Sequence, residues 1–210
     1  MKNIIEAMNS RYATKKFDTA KKLSNTELNE LLEVLRLSPS SFGLQLWKFV
    51  VVANPEIRKE LQKASYGQPQ VSEASHLIVF TVPKNIDDHL VDEYIKSVAE
   101  VRNIPIENLG EYATMIKGFL SGLNSEQRIE WATKQAYIAL GVLVASAAVM
   151  SIDVAPMEGF DSKKFDELLG LNKMGLVSKV IAAVGFRAKD DPATSEKKVR
   201  FPKEKVIIEI

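Results

Sequence analysis

Two short stretches near opposite ends of the chain concentrate positive charge. The first, SRYATKKFD at positions 10–18, holds Arg11, Lys15 and Lys16 against a single carboxylate. The second, KKVRFP at positions 197–202, adds three more cations. Because the 210-residue chain has a formal net charge of only +1, these are local clusters, and a cationic cluster can bind an anion. The alternative is an ordinary solvated charge run, which is the usual role of lone lysines.

Two other segments have compositions suited to binding polar atoms. SPSSFGLQLW, at positions 38–47, places paired serines, a glycine and a glutamine between a predicted helix and a predicted strand. Such a loop presents hydroxyls and free backbone N–H groups to an oxygen-rich ligand, although a plain connection could have the same composition. APMEGFD, at positions 155–161, predicts a turn at Pro156 and Gly159 whose backbone lies close to a neighbouring group, which could be only the next helix.

Hydrophobic patterns predict the elements that carry these segments. A capping box at Ser24 and Glu27 opens a helix with leucines at helical spacing, and the Ser-Pro pair at 38–39 ends it. Asn54 and Asp161 are predicted to cap two further helices. Short apolar runs predict buried strands at positions 47–53, 76–82 and 176–186, with a strand-like tail, KVIIEI, at 205–210.

The remaining sequence is predicted to be mostly helical. Positions 85–122 form a charged helical excursion with a break at Ile104-Pro105, and a long helix runs from about Ser125 to Ile152. The polar stretch from Asp190 to Glu196 predicts an exposed loop. These elements predict one α+β domain over residues 1–210, with a small sheet wrapped by helices.

Composition narrows the function classes. The contents of hydrophobic residues, 46%, and of charged residues, 26%, are typical of a soluble globular protein. The near-neutral charge gives no reason to expect a nucleic-acid partner. No cysteine is present, which excludes disulfides and thiolate chemistry. His76 and His89 cannot by themselves form a histidine-rich site, so no metal is expected.

One uncharged stretch, Ala136 to Ile152, is apolar enough to suggest a membrane. It falls short of the roughly 20 apolar residues that a span needs and is rich in small residues, which favours a central helix buried on all sides. The N-terminal residues lack the apolar core of a signal peptide. We therefore expect a cytoplasmic protein with no membrane partner.

Assembly follows from the same long helix and from the tail. The helix is apolar around much of its circumference, and the tail at 205–210 has no hairpin partner nearby in sequence. Exposing both would leave an apolar patch and an aggregation-prone strand. We predict an obligate homodimer in which the long helices pack together and the tail pairs with the other subunit's sheet.

In combination, the segments resemble the nitroreductase family of flavin enzymes, close to its oxygen-insensitive bacterial branch. RYATKKFD is similar to the family's Arg-x-Ser-x-Lys-x-Phe, and SPSSFGLQLW is similar to its Ser-Pro-Ser-Ser-x-Asn-x-Gln-Pro-Trp. EASHLIVF, EWATKQAYIALG, PMEGFD and KVRFP match in turn, so the resemblance covers essentially the whole chain. It implies a nitroreductase-like fold with a mostly antiparallel sheet, a homodimer that exchanges its C-terminal strand, bound FMN, and NADH or NADPH as reductant.

The resemblance also implies which residues contact FMN. Arg11, Lys198 and Arg200 would hold the phosphate, since guanidinium groups bind phosphate oxygens in a bidentate manner. Lys15 would lie near the flavin pyrimidine, where a fixed cation stabilises developing negative charge, and the backbone of a Glu-Gly pair would face N5. The remaining implied positions, with that pair included, are Tyr12, Ala13, Ser40, Ser41, Gly43, Gln70, Gln135, Pro156, Met157, Glu158 and Gly159.

Four positions depart from the family pattern. Ala13, Gly43, Leu46 and Gln70 stand where relatives often carry Ser, Asn, Pro and Lys, in that order. The Gly43 departure removes one side-chain hydrogen bond to the flavin, and Leu46 changes loop stiffness. These changes bear on flavin potential and substrate preference, and they leave the phosphate-binding cations and the Glu-Gly turn intact.

The implied activity is an FMN-dependent NAD(P)H oxidoreductase that reduces nitroaromatics and/or quinones by ping-pong hydride transfer. No side chain is expected to act as a nucleophile, because the flavin carries the chemistry. No Rossmann glycine fingerprint is present, so the nicotinamide is expected to stack on the flavin. The alternatives are a flavin reductase or metabolite-specific reductase of the same family, and a non-catalytic flavin-binding protein.

Overall fold

An antiparallel sheet with the strand order β1-β2-β4-β3 organises the chain, of which the computed structural model describes residues 3–210. The strands are β1 (Lys48–Val52), β2 (His76–Pro83), β3 (Asp153–Met157) and β4 (Leu176–Gly185). The helices are α1 (Ile4–Ser10), α2 (Asn25–Arg36), α3 (Pro55–Lys63), α4 (Gln70–Glu73), α5 (Asp88–Arg102), α6 (Gly110–Ser121), α7 (Ser125–Val149), α8 (Ser162–Leu168) and α9 (Lys203–Val206).

β2 and β4 form the centre of the sheet. Val79 of β2 lies opposite Val50 of β1 on one side and opposite Ile181 of β4 on the other. Strands covered on both faces have continuous apolar sequences, which is why the sequence predicts them. The bounds predicted for β1, β2 and β4 are confirmed to within one residue at each end. The predicted burial of β1 is wrong, because β1 is an edge strand in which Val52 alone is buried.

Side chains of the central strands alternate between two apolar layers. Ile78 and Phe80 pack in the layer formed with α2, α5, α6 and α7. Leu77 and Val79 pack in the opposite layer, with Leu61 of α3 and side chains of α4 and α8. Residues 85–122 contain α5 and α6, and the apolar faces of these helices join the first layer.

Helix ends agree with the predicted capping residues. Ser24 and Glu27 form the capping box that begins α2, and Asn54 and Asp161 accept hydrogen bonds from the first turns of α3 and α8. α5 ends at Arg102, just before the predicted break. These signals depend on neighbours in sequence, so they can be predicted without the tertiary structure.

α7 is the central helix of the first layer. Ala132, Ala139 and Ala147 are fully buried, and their small side chains let the helix lie close to the sheet. Within residues 3–210, α7 alone has the length and apolarity of a membrane span, and it packs in the core. Within this chain the sheet covers one side of α7, and Tyr137 and Ile138 are exposed. Burial on all sides therefore stays a prediction that depends on a second subunit.

β3 is absent from the sequence-based strand predictions, which place only a turn at 155–161. Pro156 interrupts the apolar run, and proline cannot donate a ladder hydrogen bond. It is tolerated here because β3 is an edge strand of the sheet. The turn itself follows β3 directly, at Glu158 and Gly159.

Two predictions near the C-terminus need correction. The tail forms no strand within this chain: Lys203–Val206 is a helical turn, and Ile208 is 86% exposed. Its pairing with a second chain stays a prediction. The loop at 190–196 is not uniformly exposed, because Asp191 is only 3% exposed and caps a short 3-10 turn at Pro192–Ser195.

Candidate functional site

The two cationic stretches from opposite ends of the sequence line one cavity of about 630 Å³. Its wall combines the segment after α1 with the segment before α9. The predicted cofactor-binding residues that line it are Arg11, Tyr12, Ala13, Lys15, Lys198 and Arg200. A juxtaposition of cations separated by nearly the whole chain is what an anion-binding site requires.

Three cations of this cavity, Arg11, Lys198 and Arg200, repel one another. Burial lowers the pKa of Arg11, and the nearby charge of Arg200 lowers it further. The pKa of Lys198 is also lowered, first by partial burial and then by Arg11 and Arg200. Glu196 lines the same cavity, but within residues 3–210 none of the three cations forms an ion pair with a carboxylate. This donor set fits a phosphate dianion, which would relieve the repulsion.

Hydrogen bonds fix the cavity wall to the sheet. The Arg187 guanidinium lies 4.4 Å from the centre of the Tyr12 ring and donates from Nε to Asp153 at 2.8 Å. Burial alone would lower the pKa of Arg187, but the hydrogen bond and charge of Asp153 raise it. Arg187 follows β4 and Asp153 begins β3, so the cavity is anchored to the end of the sheet.

Asp191 is a site residue that sequence reasoning missed. Its carboxylate accepts hydrogen bonds from the backbone of Lys15 at 3.0 Å and of Lys16 at 3.3 Å. The local signal was present, since an aspartate directly before Pro192 often caps a turn. The burial of Asp191 depends on contacts with the N-terminal segment, which no local pattern reveals.

The serine-rich loop meets α7 instead of the cationic cavity. The Ser41 backbone N–H donates to Gln135 Oε1 at 2.8 Å, so two predicted cofactor-binding positions lie together. Gln135 in turn donates to the carbonyl of Trp131 at 3.2 Å. Ser40 Oγ accepts from the backbone of Gln45 at 3.0 Å and closes the loop. Both the serines and Gln135 are therefore ordered before any ligand binds.

Gly43 is required by this loop for two reasons. Its φ of +74° lies in the left-handed region, where side chains are strained. A Cβ added there would lie 2.5 Å from the hydroxyl of Tyr94, a residue of α5. Tyr112 of α6 donates to the carbonyl of Phe42 at 2.7 Å. The tyrosine of α5 thus occupies space that an asparagine side chain at position 43 would need.

The turn after β3 is held at both of its residues. Tyr137 of α7 donates to Glu158 Oε1 at 2.6 Å, and Gln68 Nε2 donates to the carbonyl of Gly159 at 2.7 Å. Burial, together with the hydrogen bond and charge of Glu158, raises the pKa of Tyr137 to about 12. The phenol is therefore a fixed donor at neutral pH, and the orientation of the Glu158–Gly159 peptide is set by contacts with two other segments.

Gln70 has an unmet hydrogen-bonding capacity. The residue is 8% exposed, and its Oε1 has no hydrogen-bond partner within residues 3–210. Leaving a buried acceptor unpaired costs about 1–3 kcal/mol, so such an atom fits a position completed by a ligand or water. Gln70 belongs to α4 and does not line the cationic cavity.

The predicted residues thus fall into separate groups in one chain. Several of them lie outside the lining of the cationic cavity, namely the serine loop, Gln70, Gln135 and the segment 156–159. In the part of the chain that the structure describes, no cluster of three His, Asp or Glu side chains could hold a metal ion. The fold and the cavity define an α+β protein suited to a phosphate-bearing ligand.

Comparison with known proteins identifies the family. A model of the nitroreductase family matches residues 8–186, and the chain belongs to this family. A relative from Staphylococcus haemolyticus, provisionally named an NAD(P)H nitroreductase, is 37% identical over 97% of this chain and 95% of its own length. The resemblance inferred from the sequence motifs is confirmed.

Solved structures confirm the fold. A provisionally assigned nitroreductase from Bacillus subtilis superposes with a TM-score of 0.87 at 19% identity, covering 98% of each chain. A second, from Exiguobacterium sibiricum, was solved in complex with FMN and superposes with a TM-score of 0.86 at 21% identity. That comparison covers 100% of this chain and 98% of the other.

Proposed function

We propose that the chain is an FMN-dependent NAD(P)H oxidoreductase that reduces nitroaromatics and/or quinones by a ping-pong mechanism. The observation that carries the proposal is the uncompensated cluster of Arg11, Lys198 and Arg200 in the cavity of about 630 Å³. FMN ends in one phosphate, and family membership favours a flavin as the ligand that carries the bound phosphate. When bound, FMN supplies the capacity to accept a hydride from a nicotinamide and pass electrons to a second substrate.

The cationic residues would divide two tasks. Arg11, Lys198 and Arg200 hold the phosphate through charge-assisted hydrogen bonds, which are shorter and stronger than neutral ones. Lys15 lies in the same cavity and places a positive charge towards the flavin pyrimidine, where negative charge develops on reduction. Tyr12 and Ala13 contribute the backbone that connects these side chains.

The remaining groups would complete the site from a second subunit. We propose a homodimer, because the serine loop and the Glu158–Gly159 turn do not line the cationic cavity of their own chain. The exposed Tyr137 and Ile138 of α7 and the exposed tail supply apolar surface for such an assembly. In this arrangement, one chain binds the phosphate and its partner presents Glu158 and Gly159 to the reactive edge of the flavin.

A ping-pong mechanism requires only one substrate cleft. The donor and the acceptor would bind in turn at the same face of the cofactor. The hydrogen bonds to Glu158 and Gly159 would hold the backbone of this turn in a fixed position beside the cofactor. The protein's part is to position substrates and exclude water, which needs no nucleophilic side chain.

A steady-state screen tests this function. Purified protein should be yellow, and acid should release FMN and not FAD. Quinones and nitroaromatics would be assayed with NADH and with NADPH, and double-reciprocal plots at several acceptor concentrations should be parallel. A colourless protein that cannot be reconstituted with FMN would overturn the cofactor assignment. Intersecting lines would refute the ping-pong mechanism, and bound FMN that neither nicotinamide bleaches would indicate a flavin carrier.

A further inference from the structure

We infer that Asp191 is a positioning residue whose buried carboxylate joins the N-terminal and C-terminal segments into one phosphate site. The inference rests on the proposed FMN function and adds to it a residue that makes no contact with the phosphate. Asp191 lies in the loop after β4, between the sheet and the cations of the C-terminal stretch. Its role is to hold in place the backbone from which Arg11 and Lys15 project.

Four donors converge on the two oxygens of this carboxylate. Oδ2 accepts the backbone N–H groups of Lys15 at 3.0 Å and Lys16 at 3.3 Å, and the hydroxyl of Tyr12 at 3.1 Å. Oδ1 accepts the N–H of Ala193 at 3.0 Å and thereby fixes the following turn. Three of these donors lie more than 170 residues away in sequence. Asp191 therefore adds four hydrogen bonds from one side chain to the backbone contact between Ala188 and Lys16 that also joins the two segments.

Neighbouring contacts extend the connection in both directions. The Tyr12 hydroxyl also lies 2.9 Å from Thr194 Oγ1, in the turn that Asp191 caps. Further along the same segment, Lys198 Nζ donates to the backbone carbonyl of Arg11. The phosphate-binding cations therefore keep their relative positions only while the segment after residue 190 remains attached to residues 11–16.

The geometry calls for an ionised carboxylate at this position. Backbone N–H groups can only donate, so both oxygens must be acceptors. Burial would raise the pKa of Asp191, but the hydrogen bonds from Ala193, Lys15 and Lys16 outweigh it and lower the pKa. An asparagine of the same shape would direct an NH₂ group at one set of these donors and lose the hydrogen bonds.

The adjacent Asp190 provides a matched control. Its carboxylate forms an exposed ion pair with Lys16 and accepts no hydrogen bond from the backbone of residues 11–16. Exposed pairs contribute little to stability. Asp190→Asn therefore makes the same chemical change one residue away: it removes only the exposed ion pair with Lys16 and leaves the four hydrogen bonds to Asp191 intact.

The experiment compares FMN with riboflavin, which lacks the phosphate. Dissociation constants of both flavins for the apoprotein would be measured by fluorescence quenching in the wild type, Asp191→Asn and Asp190→Asn. We expect Asp191→Asn to reduce the preference for FMN over riboflavin by about tenfold to a hundredfold, the range for hydrogen bonds to a charged group. Riboflavin affinity should change much less, and Asp190→Asn should match the wild type.

Each outcome decides a different claim. An unchanged FMN preference in Asp191→Asn, or equal losses for both flavins, would overturn the positioning role, since general destabilisation affects both ligands alike. If Asp191→Asn does not fold, Tyr12→Phe removes one of the four donors and decides instead: a smaller loss of FMN preference supports the role, and no loss refutes it. A wild type that binds both flavins equally would refute the proposed phosphate site itself.

Discussion

Replacing Arg200 with alanine should weaken FMN binding without destabilising the apoprotein. Arg200 is one of six cationic side chains that line the cavity, and its charge lowers the pKa of both Arg11 and Lys198. Before a phosphate binds, these like charges repel one another. Removing one of them should leave the thermal stability of the apoprotein unchanged or slightly higher, because the side chain forms no ion pair within residues 3–210.

The loss on the ligand side follows from the hydrogen bonds that Arg200 would make to the phosphate. Within residues 3–210, its guanidinium donates only to the neighbouring carbonyl of Val199, at 2.6 Å, so most of its donors remain for a ligand. A hydrogen bond to a charged group contributes about 1.5–3 kcal/mol. At about 1.4 kcal/mol per factor of ten, FMN affinity should fall roughly tenfold to a hundredfold.

The assay combines FMN titration of the apoprotein with thermal melting in the absence of flavin. Arg36→Ala is the matched control, because Arg36 forms an exposed ion pair with Glu33 and lies outside the cavity. Added salt should weaken FMN binding in the wild type more than in Arg200→Ala, since one charge contact has been removed. The reasoning would be refuted by unchanged FMN affinity, or by an apoprotein that melts clearly below the wild type.

Three further predictions concern other parts of the molecule. Gly43→Ala should lower the free energy of unfolding by about 1–3 kcal/mol, because its φ is left-handed and the added Cβ would clash with a tyrosine hydroxyl. Gly118→Ala, which has open space around it in α6, should stabilise the protein or leave its stability unchanged. Equal effects of the two substitutions in chemical denaturation would contradict this prediction. Tyr137 should ionise near pH 12 because burial and Glu158 raise its pKa. Its contribution to stability is therefore present below the ordinary tyrosine pKa and is lost as the pH rises through about 12. An ultraviolet titration in which Tyr137→Phe removes no high-pH component would disprove this. Deleting residues 206–210 should abolish both dimerisation and flavin binding, and sedimentation of a stable monomer that keeps FMN would exclude a shared site.

Local signals in the sequence predict much of the fold. The capping box at Ser24, the Asn54-Pro55 helix start and the apolar runs of β2 and β4 each depend on residues close in sequence. β3 escapes prediction because Pro156 breaks its pattern, and only its position at the sheet edge makes that proline acceptable. The tail at 205–210 has the composition of a strand but pairs with no strand within residues 3–210.

The candidate site likewise has a part that the sequence predicts and a part that only the structure shows. The resemblance to the nitroreductase family implies that Arg11, Lys198 and Arg200 hold a phosphate and that Lys15 lies near the flavin pyrimidine. All four side chains line one cavity in the structure. Their supporting contacts involve pairs such as Lys15 with Asp191, which are distant in sequence. A polar stretch such as 190–196 has the composition of an exposed loop, so its composition cannot show that one of its carboxylates is buried.

The C-terminal half of the proposed phosphate site lies beyond the residues that the family model matches. The family match ends at Phe186, whereas Asp191, Lys198 and Arg200 all follow it. The match to the family model alone therefore does not describe how this chain would hold a phosphate. The geometry supplies that part: Arg187 fixes the start of the segment to the sheet, Asp191 attaches it to the N-terminal backbone, and the two cations then reach the cavity. Variation after residue 186 should accordingly change cofactor affinity more than fold.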